Sequence, residues 1–353
     1  MSAGEFWRER RVLLTGHTGF KGSWLYLWLR MLGAHVTGFA LPPATAPSLW
    51  ALFGDEADSI IGDICDEPLV RETLRRAAPD IVIHMAAQAL VRESYRDPVG
   101  TFRTNVLGTA ILLDACRTLP RLQCVVVVTS DKVYANDGTT RAFEERDPLG
   151  GHDPYSASKA CSELVAASFR DSLFAPGPPL ATARAGNVVG GGDWAPDRLI
   201  PDCLRALDSG KPVRLRYPDA VRPWQHVLDP LAGYLMLAQA LVETPQRAPR
   251  AVNFGPDPAS FRAVSDVVEA FSERFAGKPG WVRDAGIQPP EAQALRLSSA
   301  VAERTLGWHA RLGIAAALAW TADWYAAART GEDMLRFSRQ QIDRYRDAGR
   351  RPS

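Results

Sequence analysis

Paired cysteines, net charge and uninterrupted apolar runs are all scarce in this chain of 353 residues. The five cysteines, Cys65, Cys116, Cys124, Cys161 and Cys203, are scattered and odd in number, without the closely spaced pair of a structural metal site. That argues against a metal centre or a disulfide scaffold and fits buried thiols in a reducing cytoplasm. A formal net charge of +1 leaves no electrostatic case for a nucleic-acid or lipid-surface partner. The most apolar segment, Leu25 to Leu41, is interrupted by Arg30 and His35, and Met1 to Arg11 is charged. Neither a membrane span nor an export signal is expected. Repeats and long low-complexity segments are absent as well.

What is present is an ordinary globular composition, 46% hydrophobic and 23% charged, enough for one large domain or two coupled ones. Arg11-Val12-Leu13-Leu14-Thr15 reads as a strand that runs into Gly16-His17-Thr18-Gly19-Phe20-Lys21-Gly22. Behind it, Leu25, Trp28, Leu29 and Leu32 follow helical spacing up to Gly33. Strand, glycine turn and helix is the context a dinucleotide fingerprint needs: the glycines let the backbone approach a pyrophosphate, whose charge the helix N-terminus meets. The next strand, His35 to Ala40, ends in Phe39-Ala40-Leu41, with no acid to read a ribose hydroxyl and no arginine for a 2′-phosphate. A further strand-like piece ends at Gly62-Asp63-Ile64, where Asp63 is an adenine contact or a turn residue. Ile81 to His84 leads into Met85-Ala86-Ala87-Gln88, small residues against which a flat cofactor can lie, and His84 reads as a packed core histidine. Asn105, in an apolar helix expected from about Pro98 to Leu119, braces the active-site backbone or is a surface amide. The alternation of strands and helices through Ala185 predicts a doubly wound parallel sheet of the Rossmann type.

The stretch from Val125 to Lys159 carries the chemistry. Val125 to Thr129 reads as a buried central strand, so Ser130-Asp131-Lys132 falls just past its carboxyl end, where open parallel sheets bind ligands. Asp153-Pro154 starts a helix, with Asp as its cap, which puts Tyr155 and Lys159 on one face. A phenol with an ordinary pKa of about 10 needs a nearby cation before it can act as a base at neutral pH, and Lys159 at i+4 can supply one. Ser130 can hold a substrate oxygen while Tyr155 takes its proton, the arrangement that makes a carbinol a hydride donor.

These motifs resemble the extended short-chain dehydrogenase/reductases, in which the glycine turn, the small-residue strand end, the hydroxyl and the Tyr-Lys pair occur in this order. Within that group the likeness is to the branch that dehydrates CDP-glucose between carbons 4 and 6. It spans nearly the whole chain, through Asp147-Pro148-Leu149-Gly150-Gly151, Arg184-Ala185-Gly186-Asn187, Gly190-Gly191-Gly192-Asp193-Trp194 and Arg222-Pro223-Trp224-Gln225-His226-Val227. The resemblance implies NAD at Gly16, Thr18, Gly19, Phe20, Gly22, Asp63, Ile64, Ala86, Ala87, Gln88, Asn105, Tyr155 and Lys159. NAD over NADP rests on it alone. It also implies oxidation at carbon 4, loss of water across carbons 5 and 6, and return of the hydride to carbon 6. Elimination needs an acid and a base beyond those of a simple dehydrogenase. Asp131 suits the acid and Lys132 the base, if burial keeps each in the required form; the alternative is that the two merely pair. An epimerase or reductase of the same fold would need Ser130, Tyr155 and Lys159 but not that pair, and a non-catalytic NAD-binding regulator would need none of them.

After Ala185 the pattern loosens into Gly-, Pro- and Trp-rich loops, as expected of a smaller, interleaved C-terminal substrate-binding domain. Expected boundaries are 1–186 plus about 224–250 for the NAD-binding domain, 187–223 plus 251–330 for the nucleotide-sugar domain, and 331–353 for a helical tail. Asn187 and Arg222 suit a diphosphate, with Arg198 and Arg214 as further candidates. Trp194 and Trp224 pack around the nucleotide or form loop core. The family pattern would place a histidine at position 290 and an aspartate at 298, where this chain has Pro290 and Ser298. The arginine-rich tail reads as a solvated helix face. The helices at Pro98 to Leu119 and Pro154 to Phe169 resemble those through which the family forms homodimers or dimers of dimers, a state that light scattering checks. No metal is expected.

Overall fold

Continuous aliphatic runs such as Cys124–Val128 lack the polar alternation of a half-solvated strand, so they are stable only in a sheet covered on both faces. The computed structural model describes residues 3–136, 138, 141–275, 280–286 and 295–349. It places these runs in one seven-stranded parallel sheet. In chain order the strands are β1 (Arg11–Thr15), β2 (His35–Ala40), β3 (Ser59–Ile61), β4 (Ile81–His84), β5 (Cys124–Val128) and β6 (Leu180–Ala185). Ala251–Phe254 is added beside β6. Their spatial order runs from that edge strand through β6, β5, β4, β1 and β2 to β3.

The period of two along each strand sorts side chains between two cores. Leu13, Val82, Val125 and Val127 face a layer that includes Leu74 and Leu112, while Leu14, Ile83, Val126 and Val128 face Leu25, Trp28 and Leu231. Burying one such valine or leucine contributes roughly 1.5–3 kcal/mol. The rigid sheet that results fixes what emerges from its ends. The chain winds outward from β1 to β3, then crosses back to β4, so the order reverses between β1 and β4, where Thr15 pairs with His84. That reversal opens a crevice beyond the carboxyl ends of the strands.

The apolar helix expected over Pro98 to Leu119 is a continuous rod: Pro98–Phe102, a single wide π turn Arg103–Leu107, then Gly108–Cys116. Asn105 lies in the wide turn and is buried. The helix Pro154–Ser168 starts where the sequence indicated, with Asp153 Oδ1 accepting the Ser156 N–H at 2.9 Å. Beyond β6, short strand pairs join Val188–Val189 to Gln225–His226, Val221–Pro223 to Phe261–Ala263, and Val213–Leu215 to Trp281–Arg283. Helix Leu228–Glu243 returns to pack on β5 and β6.

The last helix, Met334–Ala348, is more than a solvated face. Its Met334, Ile342 and Tyr345 are buried, and Tyr345 Oη donates to Asp229 Oδ1 at 2.8 Å. Among the described residues, no helix is long and apolar enough to cross a membrane, and no cluster of three or more His, Cys, Asp or Glu side chains could hold a metal. Pro290 lies outside the described residues, while Ser298 donates its N–H to the Phe143 carbonyl.

Candidate active site at the sheet switch point

The glycine turn admits no larger residue at two of its positions. Gly16 has φ +75°, and a Cβ there would lie 2.7 Å from the Ala86 nitrogen, so the loops after β1 and β4 touch at this point. A Cβ on Gly22 would run into the Gly16 carbonyl. Gly19 caps the helix Phe20–Met31 with extended backbone and no side chain, leaving the first-turn N–H groups for an anion. Thr18 Oγ1 donates to the Leu41 carbonyl at 2.8 Å and ties the turn to the end of β2. A dinucleotide fits this cradle, because backbone atoms and not side chains line it.

At the adenine end Asp63 caps its own turn, Oδ1 accepting the Cys65 N–H at 2.9 Å. Ile64 is buried against Gly108. The Ala86 N–H bonds Thr15 Oγ1 at 3.1 Å. Ala86 and Ala87 are half-buried. Asn105 holds the Gln88 backbone from both sides, accepting its N–H at 2.9 Å and donating to its carbonyl at 3.0 Å, and donates to Ser158 Oγ at 2.8 Å. It therefore links the β4 loop to the helix that carries Tyr155. His84 sits between Thr15 Oγ1 and Thr109 Oγ1, its pKa lowered to about 3 by burial and by the charge of Lys159; it is a neutral core residue.

Past β5, Ser130 Oγ donates to Asp131 Oδ1 at 3.0 Å and accepts the Lys132 N–H at 3.2 Å. Asp131 is 2% exposed, and its Oδ2 has no partner among the described residues. The expected alternative, in which Lys132 pairs with Asp131, is not what forms. Burial raises the Tyr155 pKa, while its hydrogen bond with Ser130 and the charge of Arg198 oppose the rise. Arg198 is thus a cation that acts on the phenol. The Lys159 amine donates to the Val128 carbonyl at 3.0 Å. Its pKa falls to about 8 through burial, against the pull of Glu163.

Glu163 anchors the floor of the site. Its carboxylate accepts from Arg184 at 2.8 and 2.9 Å, from Thr129 at 2.5 Å and from Thr182 at 2.7 Å, all buried. Glu163→Ala would strand the Arg184 charge, and its expected cost is about 3–5 kcal/mol of folding stability, read by denaturant unfolding.

Four candidates remain on the substrate side. Arg222 is buried, on the strand Val221–Pro223. The Asn187 carbonyl accepts the Gln225 N–H at 3.1 Å, so both segments adjoin. A Cβ on the intervening Gly186 would stand 3.0 Å from Asp131 Oδ2 and 2.8 Å from Pro223, so this arm abuts the acid directly. Arg214 lines a cleft of 460 Å³ together with Lys211 and Arg216, and with Arg92 and Arg205, which pair with Asp197 and Asp202 in its wall. Arg198 donates to the Ala89 carbonyl at 3.0 Å, and its charge acts on Tyr155. Trp194 packs on Trp324 and Tyr325, and Trp224 is buried with its Nε1 on the Arg262 carbonyl, so both are loop core.

Two residues were not singled out from the sequence. Lys21 donates to Tyr234 Oη at 3.1 Å. The charges of Arg198, Lys159 and Asp131 all act on it.

Residues 12–255 match the model of the NAD dependent epimerase/dehydratase family. The chain is 45% identical to a CDP-glucose 4,6-dehydratase of Salmonella typhimurium, over 97% of this chain and 98% of that one. It is 33% identical to a dTDP-glucose 4,6-dehydratase of Streptomyces antibioticus, covering 78% of each. The structure of MoeE5 in complex with UDP-glucuronic acid and NAD superposes with a TM-score of 0.77 at 27% identity, covering 90% of this chain and 99% of that one. This chain belongs to the NAD dependent epimerase/dehydratase family.

Proposed function

We propose that this chain is a CDP-glucose 4,6-dehydratase that uses NAD and releases CDP-4-keto-6-deoxyglucose for deoxysugar or surface-polysaccharide synthesis. The observation that carries the reading is the buried Asp131, its Oδ2 without a partner among the described residues, beside Ser130 and Tyr155. Oxidation alone has no use for such an acid.

NAD would lie with its pyrophosphate on the turn Gly16 to Gly22, its adenine toward Asp63 and Ile64, and its nicotinamide end toward Ala86, Ala87, Gln88, Tyr155 and Lys159. When bound, it supplies the acceptor and later the donor of one hydride. Tyr155 takes the proton of the carbon-4 hydroxyl, with Ser130 sharing that bond and Lys159 holding the ribose. The ketone at carbon 4 acidifies the hydrogen at carbon 5, and Lys132, next to Asp131 in the chain, removes it. Asp131 gives its proton to the departing carbon-6 hydroxyl. Asn187, Arg198, Arg214 and Arg222 hold the diphosphate. In this assignment residues 1–186 plus about 224–250 bind NAD, and 187–223 plus 251–330 bind the sugar nucleotide.

We also place the protein in the cytoplasm as a homodimer. Val99, Phe102, Leu107, Leu164 and Leu173 are exposed apolar residues on adjoining helices and would be covered in such a dimer.

The test is mass analysis of a panel of nucleotide glucoses after incubation with the protein and catalytic NAD. CDP-glucose is expected to lose one water. Isomerisation without that loss would instead make the chain an epimerase.

A further inference from the structure

Asp131 and Lys132 occupy one tight turn, Asp131–Val133. Among the described residues, the Asp131 side chain bonds Ser130, its immediate neighbour, through Oδ1, its Oδ2 has no partner, and Lys132 makes no side-chain hydrogen bond. The aim of both groups therefore depends on the backbone of the turn and on what pins its ends. The upstream end is pinned beside β5: the Thr129 N–H donates to the Ala183 carbonyl at 2.8 Å, and Thr129 Oγ1 donates to Glu163.

The downstream end carries Tyr134. Its ring is 2% exposed and stacks on Phe143, with centroids 4.9 Å apart and planes 7° apart. The backbone around it bonds the loop 148–150, through the Val133 carbonyl to the Gly150 N–H and the Ala135 N–H to the Pro148 carbonyl. The hydroxyl reaches the sheet instead. It accepts from Arg184 Nη1 at 2.8 Å and donates to Asn253 Oδ1 at 2.7 Å. Arg184 and Asn253 are register partners on β6 and the edge strand Ala251–Phe254, and both are buried. One phenol thus fixes the end of the catalytic turn across two strands of a rigid sheet. Its proton and its acceptor capacity are both committed there, so it acts through the turn and not on the sugar.

We propose that Tyr134 is a positioning residue for the elimination step: its hydroxyl, shared between Arg184 and Asn253, sets the turn that aims Asp131 and Lys132 at the sugar. The proposal rests on the dehydratase reading above and adds a residue which that reading does not use. The oxidising groups are held independently. Tyr155 and Lys159 ride the helix capped by Asp153, the Lys159 amine is tied to the Val128 carbonyl, and Ser130 lies at the upstream end of the turn. Without the Tyr134 hydroxyl, Arg184 keeps its two bonds to Glu163 and one to the Glu145 carbonyl. Removing that hydroxyl frees the far end of the turn and leaves hydride transfer in place.

The experiment uses the NAD-loaded protein and CDP-glucose in heavy water, with Tyr134→Phe, Asn253→Leu and the double variant compared with wild type. Absorbance of the reduced nicotinamide in a single turnover reads oxidation as it rises and hydride return as it decays; loss of water with deuterium at carbon 5 reads elimination. Tyr134→Phe keeps the stacked ring. It is expected to reduce nicotinamide at about the wild-type rate and then hold it reduced, with water loss slowed by about 10- to 100-fold, the effect of misplacing reacting groups. Asn253→Leu removes the acceptor of the same hydroxyl from the other strand and is expected to show the same pattern. Because both act through one bond, the double variant is expected to be no slower than the slower single variant. A merely structural role lowers both phases together. Equal slowing of reduction and water loss overturns the proposal, as does water loss slowed by less than about tenfold, or a double variant slowed by the product of the two single effects. If Tyr134→Phe does not fold, Asn253→Leu decides on the same two signals. A wild-type protein that leaves CDP-glucose intact sinks the dehydratase reading itself, a separate result.

Discussion

Tyr155→Phe is expected to lower kcat on CDP-glucose by about 10²–10⁴-fold with little change in stability. The ring is 8% exposed and keeps its packing in the variant. What disappears is the hydroxyl bonded to Ser130, the group placed to take the carbon-4 proton. The sign of the pH dependence follows from the same surroundings. Burial raises the phenol pKa, so the basic form is scarce at neutral pH and oxidation speeds up as pH rises. Arg198 opposes that rise, so Arg198→Met is expected to move the rate limb to higher pH. A pH profile of single-turnover nicotinamide reduction reads both effects. A Tyr155→Phe enzyme with undiminished reduction would remove the phenol from the chemistry.

Gly22→Ala is expected to weaken NAD binding by about 10- to 100-fold, since overpacking costs about 1–3 kcal/mol. The added methyl would meet the Gly16 carbonyl and stand 2.8 Å from the His17 Cα. Both are backbone, so neither can rotate away, and the turn must open at the place where the pyrophosphate approaches. Gly19 is the internal comparison: a Cβ there meets nothing nearer than the Gly16 oxygen at 3.4 Å. Calorimetric titration with NAD separates the two positions, and equal affinities for both alanine variants would contradict the cradle.

The sheet and its switch point were legible because each depends on local pattern. Arg11 to Thr15 before the glycines, and Val125 to Thr129 before Ser130, announce buried strands by composition alone. Asp153-Pro154 likewise announced the helix of Tyr155 through its own cap. The role of Arg198 was not legible, because a surface-looking arginine acquires its place beside Tyr155 only when the loop after β6 folds back over the crevice. Tyr234 was hidden for the same reason, in a helix that reads simply as apolar.

The lysines did leave a signal. The chain has five lysines beside 36 arginines, so arginine does nearly all the work of solvating the surface. Lysine, unlike arginine, can surrender its proton when buried. Two of the five, Lys132 and Lys159, lie by the end of β5: the Lys132 N–H bonds Ser130 Oγ and the Lys159 amine bonds the Val128 carbonyl. The packed inner face of the last helix was missed because its exposed arginines masked the spacing of Met334, Ile342 and Tyr345.

The central claim is an internal transfer of hydride through one active site. CDP-glucose deuterated at carbon 4, incubated with the NAD-loaded protein, tests it most directly. The account predicts a product lighter by one water that carries the label on carbon 6 of the same molecule. Label lost to free nicotinamide, or retained at carbon 4 of an unaltered or epimerised sugar, would contradict it.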